Sequence, residues 1–296
     1  MINSILSHSL WTACITPFDI SGREVDYQSL QNLLRTQAEA KNGIVLFGST
    51  GEGLSLDESE KIEILRFACA LKLDAPIIVG VPGTNLKEAL RSIDIFSQFP
   101  IAGYMATTPI YTKPGIIGQT KWFEELLGRT DKNVVLYNIP GRAGVSLYPE
   151  VIKNLAQYQN RIAIKDSSGT IDTLVQYRMA APRIAIFCGD DYMLPAAAAE
   201  GAVGLISVAS NIWPTATRIY VRKVLDGQRL ESKVWWRASR ALCSVSNPVP
   251  VKALMQSLGL IKCGETRLPL NAEDLISLDS LRQVHKEILE WESENV

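Results

Sequence analysis

The run Ile162-Ala163-Ile164-Lys165-Asp166 puts an amine at the end of three apolar residues, two of them β-branched. Such a run reads as a strand buried on both faces. Burying an ammonium is costly, and burial disfavours the charged form of an amine. A neutral lysine amine is a nucleophile for carbonyls. Taken alone, the segment fits better a lysine that leaves the strand for solvent or pairs with Asp166. Other residues able to do chemistry follow apolar runs elsewhere: Thr16, Ser49, Thr50, Tyr111, Tyr137, Arg142, Asp190 and Ser207. The set is rich in hydroxyls and contains one arginine. It holds no histidine cluster and no carboxylate pair.

The elements that position these residues alternate regularly. Apolar strand patterns occur at 11–15, 43–47, 76–80, 103–106, 133–138, 162–166, 184–188 and 204–208. Helical patterns lie between them: 27–40, 57–73 with Asp57 and Glu60 as a capping box, 85–96 capped by Asn85, 118–127, 149–156, 171–179 and 193–200. Continuous apolar strands alternating with amphipathic helices imply a parallel sheet covered on both faces. An open doubly wound sheet would show a glycine-rich fingerprint after an early strand. The stretch Gly48-Ser-Thr-Gly-Glu-Gly53 is not G-x-G-x-x-G and lacks a P-loop lysine. Eight such units predict a (β/α)8 TIM barrel. Beyond it, helical patterns at 217–225, 230–244, 251–258 and 279–291 form a C-terminal helical extension. The expected division is a catalytic barrel at 1–225 and a helical annex at 226–296, docked on the barrel.

Composition narrows the function. The chain has 296 residues, 47% hydrophobic and 21% charged, with a net charge of −1. Nothing pulls it toward nucleic acid or an anionic membrane. The five cysteines are scattered (Cys14, Cys69, Cys188, Cys243, Cys263), with no C-x-x-C, as suits free thiols in a reducing compartment. Residues 1–10 lack a basic region and a long apolar region, and no run of 18 apolar residues occurs, so a cytoplasmic protein is expected. The two histidines, His8 and His285, lie near the two ends, which argues against triad or histidine-metal chemistry.

In this fold function sits at the C-terminal ends of the strands. A metal held by Asp166, Asp190 and Asp191 would come without any phosphate-binding signature. A glycosidase carboxylate pair would leave the lysine and tyrosine unexplained. Schiff-base chemistry on a keto acid uses the whole set: a lysine attacks, a tyrosine moves protons, and backbone N–H groups in a turn hold the carboxylate. Each residue also has a plain structural explanation. Tyr137 could pack its ring in the core, Ser49 and Thr50 could be turn formers, and Arg142 could be a surface charge. On consecutive strand ends, the functional reading accounts for them jointly.

Four motifs carry a family resemblance: Gly48-Ser-Thr-Gly-Glu52, Tyr137-Asn-Ile-Pro-Gly-Arg142-Ala-Gly144, Ile164-Lys165-Asp and Asn247-Pro-Val-Pro-Val-Lys252. In this order they resemble the dihydrodipicolinate synthase/N-acetylneuraminate lyase superfamily of pyruvate-dependent class I aldolases. The similarity runs from Thr12 to the Arg267-Leu-Pro-Leu segment. The resemblance implies that Lys165 is the Schiff-base lysine, that Tyr137 is the proton-relay tyrosine, and that Thr50 is the relay hydroxyl. With Ser49, Thr50 would supply the turn for the pyruvate carboxylate. Tyr111 would complete the relay in a neighbouring subunit, and the backbone carbonyl of Ile206 would face the site. Arg142 matches the arginine with which the synthases bind the carboxylate of aspartate semialdehyde, a group that a guanidinium fork fits.

The implied reaction condenses pyruvate with aspartate semialdehyde in lysine and diaminopimelate synthesis, with no cofactor or metal, in a homodimer or homotetramer. Ser49 departs from the pattern: the synthases usually carry two adjacent threonines there, and the sialic-acid lyases a serine. A sugar-acid aldolase is therefore the alternative, and a silent barrel with a binding role is a second one. The resemblance also locates a lysine-inhibition site at Ile110, Thr84, Glu88 and Lys61, of which only Glu88 keeps the usual residue. Weak or absent inhibition by lysine is expected.

Overall fold

The structure, a computed structural model, describes residues 3–159, 161–230 and 233–296. The strands are β1 (Leu10–Ala13), β2 (Gly43–Leu46), β3 (Ile77–Val81), β4 (Gly103–Thr107), β5 (Asn133–Asn138), β6 (Ile162–Asp166), β7 (Ala185–Cys188) and β8 (Gly204–Ser207). They pair in parallel in sequence order, and β8 returns to β1. The expected (β/α)8 barrel is thus the fold, with further helices at its C-terminal end.

Successive strand residues point to opposite faces. One set, including Trp11, Val45, Ile78, Met105, Val135 and Ile206, fills the barrel interior. The other, including Ile44, Leu46, Val79, Leu136 and Ile164, packs outward under the helices. Both faces are dry, which is why the runs are apolar without alternation. Helix starts follow local hydrogen bonding. Asp26 accepts N–H bonds from Gln28 and Ser29 at the head of Tyr27–Glu39. Asp57 and Glu60 make both halves of the capping box that opens Glu58–Ala70. Asn85 accepts from Lys87 and Glu88 at the head of Leu86–Phe96.

Several boundaries differ from expectation. The first strand stops at Ala13, because the Ile15 N–H donates to the Asn211 side chain at 3.0 Å instead of joining a ladder. Phe47 takes a left-handed backbone (φ 60°) and ends β2 one residue early. The helix expected at 193–200 splits into a 3-10 turn, Asp191–Met193, and the helix Leu194–Ala199, whose first turn contains Pro195. The loop after β5 carries an unexpected helical turn, Pro140–Ala143. Asn3–Leu6 is also helical; Met1 and Ile2 of the N-terminal stretch lie outside the described residues.

Past the helix Pro214–Leu225 come Lys233–Leu242, Val249–Ser257 and Asp279–Asn295. Glu231 and Ser232, inside the expected 230–244 helix, lie outside the described residues. Tyr220 stacks on Trp235 at 4.3 Å, and Trp291 meets Trp235 edge-on at 5.3 Å. Such aromatic contacts add to the burial that seats these helices. All five cysteines are free. Among the described residues, no helix is long and apolar enough to cross a membrane.

Candidate active site

Register between β5 and β6 builds the centre of the site. It pairs Tyr137 with Lys165 and Asn138 with Asp166. Tyr137 belongs to the interior cluster, so Lys165 beside it also faces inward, and the next pair faces out. The Lys165 Nζ lies 4.3 Å from the centre of the Tyr137 ring. Both side chains are buried, at 3% and 4% exposure. On the outer face Asp166 accepts from Asn138 Nδ2 at 2.7 Å and from Ser168 Oγ at 2.8 Å. Asn138 Oδ1 in turn accepts the Leu147 N–H at 2.9 Å. The pairing of Lys165 with Asp166, allowed by the sequence, is therefore ruled out by strand alternation. The lysine does not reach for solvent either. Gly189 is needed beside it: a Cβ there would sit 2.9 Å from Lys165 Cε and 2.0 Å from Ser167 Oγ.

Two aspartates close this end of the barrel. The Asp190 carboxyl is pushed up to about 6, chiefly by burial, with the positive charge of Lys165 pulling the other way. Burial also raises Asp191, which accepts from Ser207 Oγ and from the Val208 N–H. Asp191 thus ties β7 to β8. Among the described residues, no group of three His, Cys, Asp or Glu side chains is arranged to hold a metal.

The turn after β2 supplies the second part. Phe47 and Glu52 bracket it with left-handed backbones (φ 60° and 52°). Such conformations are rare for non-glycine residues and often mark functional turns. Between them Gly51 touches the chain after β1: a Cβ would meet the Cys14 carbonyl at 2.8 Å. Thr16 Oγ1 donates to the Gly51 carbonyl at 2.7 Å. Thr50 is buried, and its Oγ1 accepts from Asn247 Nδ2 at 2.9 Å. The Asn247 carbonyl accepts from Arg142 at 2.9 Å. Arg142 itself is exposed, on the helical turn Pro140–Ala143.

A cavity of about 370 Å³ joins these parts, lined in part by Gly48, Ser49, Tyr137, Ile139 and Arg142. Ser49, Tyr137 and Arg142 are thus brought together. Lys165 and Thr50 are buried, each in contact with a residue of the site. Ile206 is buried in the interior cluster on β8. Tyr111 is set apart: it is 89% exposed, and its backbone N–H donates to Ala143 at 3.0 Å.

The sequence matches the dihydrodipicolinate synthetase family model over residues 6–288. The chain belongs to the dihydrodipicolinate synthetase family. It is 54% identical over 282 residues to a 4-hydroxy-tetrahydrodipicolinate synthase of Wolbachia pipientis subsp. Culex pipiens, covering 95% of this chain and 96% of that one. The identity to the protein of that name from Chlamydia caviae is 44%, with 95% and 96% covered. Among solved structures, the 4-hydroxy-tetrahydrodipicolinate synthase of Methylacidiphilum fumariolicum SolV superposes with a TM-score of 0.87 at 30% identity, covering 97% and 96% of the two chains.

Sequence reasoning gave Asn247 no role in this family member, yet it touches both Thr50 and Arg142. It also gave none to Glu52 and Lys252, which pair at 2.6 Å. The available signal was their place inside two of the quoted motifs.

Proposed function

We propose that this chain is a cytoplasmic lyase that condenses pyruvate with L-aspartate 4-semialdehyde to 4-hydroxy-tetrahydrodipicolinate, on the path to diaminopimelate and lysine. The observation that carries the reading is Lys165, buried against Tyr137 with no carboxylate in ion-pairing distance among the described residues. The Lys165 amine adds to the keto carbon of pyruvate, and Tyr137 relays the protons that let water leave. The imine loses a methyl proton and becomes an enamine. Its terminal carbon attacks the aldehyde, whose oxygen takes a proton and becomes the hydroxyl. The substrate's own amine then adds to the imine carbon, closes the ring and displaces Lys165.

Ser49 and Thr50 hold the keto-acid carboxylate through the turn's N–H groups and hydroxyls. Arg142, at the cavity wall, takes the carboxylate of the aldehyde. Steady-state assays with pyruvate and a panel of aldehydes test this. Aspartate semialdehyde should give the highest kcat/KM; a preference for N-acetylmannosamine would move the chain to the sialic-acid lyases.

Tyr111 suits a site completed across subunits, since its ring projects from the chain. A homodimer at least, assembled further into a dimer of dimers, is the assembly we propose. A fully active monomer in sedimentation would contradict it.

A further inference from the structure

Two buried charges meet at the end of the Ser49–Thr50 turn, where Glu52 also lines the cavity, and take no part in the chemistry above. Glu52 ends the turn, and its Oε1 receives Lys252 Nζ at 2.6 Å, with both side chains at 0% exposure. Its Oε2 accepts the backbone N–H of Arg267 at 2.8 Å. Lys252 comes from the helix Val249–Ser257. Its Nζ sits 4.1 Å over the Phe18 ring, and the Arg267 guanidinium 4.4 Å from the same ring. Arg267 also holds Glu60 with two bonds, at 2.6 and 2.7 Å.

A buried ion pair is a poor way to gain stability, because desolvation offsets much of its attraction. Tyr220, Trp235 and Trp291 already seat the annex through apolar ring contacts. What the pair adds is direction. It fixes the carboxylate of a residue held in a left-handed conformation, two positions after Thr50. The segment that carries Lys252 begins with Asn247, which bonds Thr50 itself. One stretch of chain therefore holds the turn at two points, Thr50 and Glu52.

We propose that Glu52 and Lys252 are positioning residues that hold the Ser49–Thr50 turn in the geometry that receives the carboxylate of the keto acid. The inference rests on the pyruvate reading above. The pair bonds the turn directly and reaches Arg142 only through the Asn247 carbonyl, so loss of the pair should affect pyruvate far more than the aldehyde.

The test is the double variant Glu52→Gln/Lys252→Met, which leaves neither charge alone in the core. Thermal melts report its fold, and KM is measured for each substrate. A turn misplaced by a fraction of an ångström should raise the pyruvate KM about tenfold while the aspartate semialdehyde KM stays within about twofold. Phe18→Leu loosens the same junction without touching either charge. It should shift the pyruvate KM in the same direction by a smaller factor, and it keeps the proposal testable if the double variant does not fold. A folded double variant with an unchanged pyruvate KM, or with both KM values raised alike, overturns the proposal. So does Phe18→Leu with an unchanged pyruvate KM. If the unsubstituted chain forms no reducible adduct with pyruvate, the reading beneath falls, and the inference with it.

Discussion

Lys165 and Tyr137 stand on neighbouring strands with the amine 4.3 Å from the centre of the ring. Tyr137 lines the cavity, and the Lys165 amine lies against its ring. Tyr137→Phe should keep the ring in place and remove only the proton relay. A lost general acid–base group lowers kcat by about a hundred- to ten-thousand-fold. Pre-steady-state measurement of imine formation, with the melting temperature as control, checks this.

Arg142 donates to Asn247 but is otherwise exposed at the cavity wall. Arg142→Ala should leave pyruvate binding intact and reduce kcat/KM for aspartate semialdehyde. A lost charge-assisted bond costs about 1.5–3 kcal/mol, roughly ten- to a hundred-fold. Separate titrations of the two substrates decide the matter.

The Asp190 carboxyl is raised from 3.8 to about 6 by burial. Between these values the folded chain keeps a proton that the unfolded chain has lost. The contribution of this group therefore weakens the fold as pH rises through that window, and the full penalty stands above it. Asp190→Asn should stabilise the protein at pH 7 relative to the unsubstituted chain, with the gain fading toward pH 4. Urea melts across the range check this; a difference that does not change with pH would contradict the assignment.

Lysine should inhibit weakly or not at all. Burial lowers the Lys61 amine, against the pull of the Asp57, Glu58, Glu60 and Glu88 carboxylates, so the site carries a cation of the chain itself close to where the ligand's ammonium would lie. Ile110 offers no phenolic hydroxyl, and Thr84 lacks the amide's paired donor and acceptor. A titration at saturating pyruvate checks this; half-inhibition at submillimolar lysine would show the site to be intact or elsewhere.

What the sequence revealed, and what it hid, follows from the range of the interactions. β5 and β6 have the expected bounds because apolar runs fix buried strands locally. The Asp57 and Asn85 caps were legible for the same reason. Phe47 was read as a strand residue because its left-handed backbone is imposed by the turn that follows, not by its own preference. Asn247 and Lys252 stand in one motif, but nothing in their local sequence announces a task. Their partners Thr50 and Glu52 lie 197 and 200 residues away, and no local pattern reports such a contact. The fate of Asp166 was open in the sequence, where it stands next to Lys165. Strand alternation in the folded barrel sends it to Asn138 and Ser168.

The central claim is that Lys165 is the covalent residue. Borohydride reduction in the presence of pyruvate, followed by peptide mass spectrometry, tests it most directly. The account predicts a reduced pyruvate adduct on the Lys165 peptide and on no other lysine. An unmodified Lys165 peptide under conditions of full turnover would contradict it.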